Sequence, residues 1–533
     1  MMRILPKSLG IYQVSFALVG GILMGLTPSP VEAYPLAWIG LVPLWLLVTK
    51  VEPFSLKRCL LVGGIWAGGY HGLALFWITG IHPMTWLGVP WLPSLLIAGF
   101  CWLFITFWGV VLVALWSGIL GWLKSKLELD NSFVIVLIGV ALWCGLETLW
   151  NATPLWWTSL AYTQSPHNLI ILQLGKLSGP ATVTAVIVMV NGLLAEAIAF
   201  FPGVSFWLTG RKNVSRKKYL QFLVLAIIAV VIGHGFGFFS YTQNLEQPQK
   251  QQLKVGIIQG NIPNEIKFDD IGWRKALEGY TTGYKELANQ GVEAILTPEI
   301  SLPFVWSELS RNRRSFYRAI LEEEIPAWVG AFGSIGNSFT NSLFSISSSG
   351  EVLSRYDKSK LVPLGEYIPF ESILGKLIDR LSPLEAHLVA GKPNQIFTTP
   401  FGRAIVGICY ESAFSDIFRR QAQTGGQFIL SPSNDAHYSP AMPAQHHAQD
   451  VMRAIETDRW AVRATNTGYS AIVDPHGNTI WQSSLNQYAI HAATIYRRTT
   501  ATLYVRWGNW LTWILLLGAG LACLFQVNFW SNT

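Results

Sequence analysis

"RAIVGICYESAF", residues 403–414, runs from an apolar, β-rich stretch into a cysteine and then at once into Tyr410 and Glu411. The branched and small apolar residues of "AIVGI" favour an extended strand. A strand that gives way to polar residues displays them where a loop begins. Of the five cysteines, at 59, 101, 144, 409 and 523, only Cys409 lies in the large polar segment; the others sit in or beside long apolar runs. A lone thiol in its domain has no internal disulfide partner, so it serves either packing or chemistry. Its place at a strand end makes Cys409 the best candidate for a nucleophile, although a buried small hydrophobe is the commoner role for such a residue.

Around this stretch, about residues 241–506 have ordinary globular composition, enough for one sizeable domain. Short β-rich runs recur at 253–261, 292–301, 327–335, 341–353, 403–412, 427–436, 467–482 and 488–497, with helical stretches at about 272–289, 308–323 and 441–463. "SSSG" and "DPHGN" punctuate hairpins. Strands interleaved with helices and hairpins predict a layered α/β sandwich with mixed sheets. Several strands end alike: Glu299 follows "AILTP", Asn434–Asp435 follow "FILSPS", and "RYDKSKLVPLGEY" brings Lys358 and Glu366. A free thiol has a pKa near 8.5 and is little ionised at pH 7. A carboxylate that takes its proton and an ammonium that stabilises thiolate and oxyanion form a working set for acyl transfer. Singly, Glu299 reads as a surface carboxylate and Lys358, beside Lys360, as a solvated charge. His437, His446 and His447 suggest a metal, but adjacent histidines on a helix face different ways, so none is expected.

The flanking sequence belongs to a different solvent. The chain is 51% hydrophobic and 13% charged, against about 25% charged in soluble domains. A span needs about 20 apolar residues. Eight candidates appear, at about 11–28, 34–49, 59–80, 92–118, 133–150, 179–201, 219–240 and 508–529. Domain boundaries follow: 1–240 transmembrane with seven spans, 241–506 catalytic, 507–533 a last transmembrane helix. Lys and Arg occupy alternate connections (Arg3 and Lys7; Lys50, Lys57 and Arg58; Lys124 and Lys126; Arg211 to Lys218), while 27–34, 80–88 and 151–168 carry none. The positive-inside rule then puts both termini in the cytoplasm and the polar domain outside. The net charge of +7 reads as orientation signals rather than nucleic-acid binding. Residues 1–33 also have the layout of a signal peptide, but retention of the first span is the expected outcome. Glu147 and Glu196 fall near span ends, where interfacial solvation would accommodate them, and His71 reads as a packed, hydrogen-bonded residue. "PLWWTSLAY" (154–162) suits an interfacial aromatic belt or a re-entrant loop.

In order along the chain, "TPEISLP", "YDKSKLVPLGEYIPF" and "GICYES" resemble the Glu, Lys and Cys motifs of the nitrilase superfamily, and "SNDAHYS" and "RAIETDRWAVRATNTGYSAIVDPHG" add further matches. With "LVPLGEYIP" and the seven-plus-one spans, the chain is similar over essentially its whole length to the apolipoprotein N-acyltransferase family of bacterial membranes. The resemblance implies an αββα nitrilase-like domain with Cys409 as nucleophile, Glu299 as general base and Lys358 as electrostatic stabiliser. It also implies that Glu366, Tyr410 and Glu411 support them. Phe268 stands where the family usually has Trp after "QGNIPxxxK", and His437–Tyr438 replace two larger apolar rings of "NDAWFG". These three are candidate substrate contacts.

The implied reaction has two steps. Cys409 takes an acyl chain from a membrane phospholipid as a thioester, then passes it to the α-amino group of a diacylglyceryl-cysteine at a lipoprotein N-terminus. The implied setting is the bacterial inner membrane with the domain periplasmic, no cofactor, no metal and no nucleic acid, and nothing in the chain demands more than a monomer. Two other readings compete. A membrane-tethered amidase would use water as acceptor. A transporter or receptor would leave the motif residues idle, and the spans carry few of the buried charges of an ion pathway.

Overall fold

Residue alternation sets the architecture of the polar domain. In strand Gln252–Gln259, Leu253, Val255 and Ile257 point to one apolar core while Ile258 points to another. The same division separates Leu296 from Ile295 and Trp328 from Val329. Each strand therefore has two buried faces, one toward a second sheet and one toward helices. A computed structural model describes residues 10–201, 215–311, 314–363, 365–367, 388–436 and 438–531.

The first sheet has the order Ala489–Tyr496, Gln252–Gln259, Ala294–Leu296, Ala327–Ile335, Ser338–Ile346, Val352–Asp357, with Leu302–Val305 paired beside Ala327–Ile335. The second runs Thr479–Gln482, Ala471–Val473, Ala461–Thr465, Ile429–Ser433, Gly402–Val406, Phe397–Thr399. Both are mixed. Ala294–Leu296 lies parallel to its two neighbours, and Ile429–Ser433 likewise. One core joins residues of both sheets, Leu253, Leu296, Trp328, Val406, Leu430 and Val462 among them. Helices Asp270–Asn289 and Ser315–Glu323 pack on the outer face of the first sheet through Tyr280, Tyr284 and Phe316. This is the expected layered sandwich.

Two boundaries differ from the sequence reading. The helix expected over 441–463 stops at Thr457, where Asp458 turns to φ +56°, and Ala461–Thr465 becomes a strand parallel to Ile429–Ser433. Val462 and Ala464 face the inter-sheet core, and that burial overrides the helical pattern. The expected 308–323 helix is two pieces, Trp306–Arg311 and Ser315–Glu323.

The chain divides into two compact units. One contains the described residues of 1–76, 99–242 and 509–533; the other is Trp77–Ala98 with the described residues of 243–508. Four helices among the described residues are long and apolar enough to cross a membrane: Trp91–Lys126, Ser132–Asn151, Pro180–Ala199 and Arg216–Tyr241. The expected 34–49 segment is broken into a 3-10 turn, Tyr34–Trp38, and a helix, Val42–Thr49. Gly40 lies in that break and Pro43 in the first turn of the helix that follows.

The side chains of the first unit correct two expectations. Interfacial water does not accommodate Glu147; its carboxylate is buried and accepts from Leu160 N at 2.8 Å, Thr184 Oγ1 at 2.9 Å and Ser159 Oγ at 3.1 Å. Glu196 is buried too and pairs with Lys50 Nζ at 2.6 Å. Buried carboxylates require such partners. Nor do Trp156 and Trp157 form an exposed belt, since both are buried. His71 packs as expected, with Nδ1 2.9 Å from Thr158 Oγ1.

Candidate active site

Strand Gly402–Val406 and its parallel neighbour Ile429–Ser433 end at the same edge of the second sheet. Cys409 opens a 3-10 turn at that edge with φ +52°. The left-handed conformation costs a non-glycine residue about 1–2 kcal/mol, and such outliers gather at functional sites. Ile300, directly after Glu299, has φ +42°. The Cys409 side chain is buried, with Sγ 3.9 Å from the Asn434 carbonyl. Burial, reinforced by the charge of Glu299, pushes the thiol well above its ordinary range against the pull of Lys358. The resting group is a thiol, and a nucleophilic role would require a base.

A carboxylate stands ready. Glu299 Oε1 accepts from Lys358 Nζ at 2.8 Å and from Asn341 Nδ2 at 2.7 Å. Lys358 Nζ also meets Glu366 Oε2 at 2.9 Å, and Asn341 Nδ2 reaches Glu366 Oε1 at 2.8 Å. Lys358 and Asn341 thus bridge two carboxylates. Burial opposes charge on Glu299, but Lys358, Asn341 and Lys267 outweigh it and hold the carboxyl below its ordinary range. Burial likewise works against the Lys358 ammonium, yet Glu299 and Glu366 raise it well above its ordinary value. A second lysine, Lys267, is buried with Nζ 3.3 Å from the Glu299 carbonyl, and burial pushes it down to about 8.

Glu411 holds two of these segments together. Its Oε1 accepts from Ser359 N at 2.7 Å, Ser359 Oγ at 2.6 Å, Lys360 N at 3.2 Å and Tyr356 Oη at 3.0 Å. Its Oε2 accepts from Ile408 N at 2.8 Å. Burial pushes this carboxyl up, opposed by the Ser359 and Ile408 donors. Tyr410 stacks edge-on against Phe414. Phe268, beside Lys267, joins a small apolar cluster with Ile300, Phe332, Leu361 and Leu388. The Tyr438 ring meets Trp77 edge-on at 5.1 Å, and burial, then Cys409, pushes its phenol up. His437 lies outside the described residues.

Residues 254–504 match the carbon-nitrogen hydrolase family, and residues 20–193 match the apolipoprotein N-acyltransferase N-terminal domain. A Nostoc sp. (strain PCC 7120) protein named apolipoprotein N-acyltransferase is 57% identical over 96% of this chain and 98% of its own length. Relatives of the same name from Synechocystis sp. (strain PCC 6803), 49% identical, and Thermosynechococcus vestitus, 41% identical, are covered over 100% and 92% of their lengths and cover 96% and 93% of this chain. The chain belongs to the apolipoprotein N-acyltransferase family.

In this member of the apolipoprotein N-acyltransferase family, several residues at the site were not singled out from the sequence. Lys267 and Arg463 lie in the family-like stretches "QGNIPxxxK" and "RAIETDRWAVRATNTGYSAIVDPHG" but were given no role there, and Asn341 carried no signal beyond being polar in a β-rich run. Arg463 binds Asp435 Oδ2 at 3.0 Å and Asp450 Oδ2 at 2.6 Å. The adjacent histidines diverge: His447 Nε2 meets Thr479 Oγ1 at 2.9 Å, whereas His446 lies between Asp435 Oδ1, 3.0 Å from Nδ1, and the Cys409 carbonyl, 2.8 Å from Nε2. Cys409, Asp435 and His446 bring ligand atoms within 4.8 Å of one another. Each His446 nitrogen already lies within hydrogen-bond distance of an oxygen.

Proposed function

We propose that the protein is an apolipoprotein N-acyltransferase that works by a Cys409 thioester. The observation that carries the reading is the buried Glu299–Lys358–Glu366 cluster beside a lone buried thiol, in a chain that aligns over 96% of its length with a relative of that name. Glu299 removes the Cys409 proton as the thiolate adds to a phospholipid acyl ester. Lys358 stabilises the thiolate and the tetrahedral oxyanion. Collapse breaks the ester C–O bond, and Glu299 returns its proton to the departing lysophospholipid oxygen. In the second step the α-amine of a diacylglyceryl-cysteine attacks the thioester, Glu299 takes the amine proton, and thiolate leaves to be reprotonated. Splitting one difficult transfer into two is the gain of covalent catalysis. The apolar cluster of Phe268, Phe332 and Leu388 suits the acyl chain.

Eight spans, termini in the cytoplasm and a periplasmic catalytic domain over 241–506 complete the reading. The alternating Lys and Arg connections support the orientation, and the four long apolar helices support an inner-membrane protein. Both substrates are lipid-anchored, so a membrane-held domain meets them in two dimensions. The test is to incubate purified protein with labelled-acyl phospholipid and look for a hydroxylamine-sensitive adduct that a diacylglyceryl peptide discharges. Label on Cys409→Ala would overturn the nucleophile assignment. Discharge to water alone would indicate an amidase. A reporter active only outside the cytoplasm, fused after Arg498, tests the orientation and should be active.

A further inference from the structure

We infer that His446 is a positioning residue: a buried imidazolium that holds the Cys409 elbow by its carbonyl and balances the charge of two carboxylates beneath it. The inference rests on the thioester reading of the same site and adds a residue to it.

His446 sits on helix Ala441–Thr457 and is fully buried. Its Nε2 lies 2.8 Å from the Cys409 carbonyl oxygen and its Nδ1 3.0 Å from Asp435 Oδ1. A carbonyl and a carboxylate only accept, and a neutral imidazole carries one N–H. Both contacts are hydrogen bonds only if the ring carries two protons.

Charge counting leads to the same state. The buried cluster contains two carboxylates, Asp435 and Asp450, and one guanidinium, Arg463, bonded to both. A cationic His446 makes the cluster neutral; a neutral one leaves an excess buried anion near the thiol. Burial opposes ionisation of both aspartates, yet His446 and Arg463 hold them below the ordinary carboxyl range. The other titratable groups facing the cluster are the Cys409 thiol and the Tyr438 phenol, both pushed up chiefly by burial, and His447, which burial, then Arg463, pushes down to about 4.

The mechanical role follows from the backbone. Cys409 has φ +52°, and its flanks are pinned on opposite sides, Ile408 N by Glu411 at 2.8 Å and the Cys409 carbonyl by His446 at 2.8 Å. Releasing the carbonyl lets the turn relax and moves Sγ away from Glu299.

His446→Gln, alone and combined with Asp435→Asn, separates this role from simple packing. In the single variant the new side-chain amide can still donate to the Cys409 carbonyl but leaves Asp435 uncompensated. In the double variant the amide introduced at position 435 donates to the side-chain oxygen at position 446. The NH2 at position 446 then donates to the Cys409 carbonyl, and Arg463 is balanced by Asp450. We expect His446→Gln to slow acyl-adduct formation at least tenfold, and the double variant to recover most of that loss while Asp435→Asn alone is also slow. A wild-type rate for His446→Gln, or a double variant as slow as the product of the single losses, overturns the proposal. So does loss of wild-type activity on chelation that zinc restores. Iodoacetamide alkylation of Cys409 across pH is followed in parallel. It needs no lipid, so it reports the elbow even if the acyl-transfer reading fails.

Discussion

Replacing Glu411 with glutamine removes no heavy atom and one charge, and it tests whether this carboxylate joins the two reactive segments. Three of its donors are backbone N–H groups that cannot turn away: Ser359 and Lys360 on Oε1, Ile408 on Oε2. Glutamine offers one oxygen and one NH2. In either orientation the NH2 faces a backbone N–H, so at least one buried donor is left without an acceptor, at about 1–3 kcal/mol. The bonds that survive lose their charge assistance, which roughly halves their strength. The combined effect is about 2–4 kcal/mol, and it falls on Ile408, which precedes Cys409, and on Ser359, which follows Lys358. If half of it appears in the positioning of these groups, acylation slows about 5- to 30-fold at 1.36 kcal/mol per tenfold. Single-turnover formation of the hydroxylamine-sensitive adduct measures that loss, and thermal unfolding of the same sample should show a midpoint lower by several degrees. A Glu411→Gln protein with wild-type rate and midpoint refutes the reasoning.

Other substitutions probe separate parts of the site. Glu299→Gln cannot accept the thiol proton and should slow adduct formation by about 10²–10⁴-fold; a near-normal rate removes Glu299 as the base. Because the folded-state carboxyl of Glu299 is depressed, its contribution to stability is complete above the unfolded value and is lost as pH falls through the lower folded one. The acid limb of adduct formation should therefore lie below the ordinary 4.5, and a limb centred above it contradicts the assignment. Asn341→Leu removes the amide shared by Glu299 and Glu366, and should raise the Glu299 carboxyl and move that limb to higher pH; an unmoved limb counts against the bridge. Gly468→Ala should lower the unfolding midpoint, since an added Cβ would stand 2.2 Å from Asp435 Oδ2; about 1–3 kcal/mol is typical of such overpacking. An unchanged midpoint would show that Asp435 moves freely.

What was legible in the sequence was whatever a strand announces locally. "AIVGI" leads to Cys409 and "AILTP" to Glu299 because apolar runs end where a sheet edge meets polar surroundings, and both residues lie at such ends. Asn341 was not legible. It lies within strand Ser338–Ile346 among ordinary polar and apolar residues, and its role depends on carboxylates 42 and 25 positions away. Ala461–Thr465 was hidden for a related reason: a helical pattern continues through it, and only its parallel pairing with Ile429–Ser433 fixes it as a strand. Glu147 shows the same limit in an apolar setting, since the donors of Leu160 and Thr184 come from elsewhere in the fold. Nucleophile, base and stabilising ammonium are chemical types and leave a trace in one dimension. The groups that hold them at working distance are defined by pairwise geometry, so a substitution there, such as Glu411→Gln, is expected to slow acylation while the proposed nucleophile, base and ammonium all stay in place.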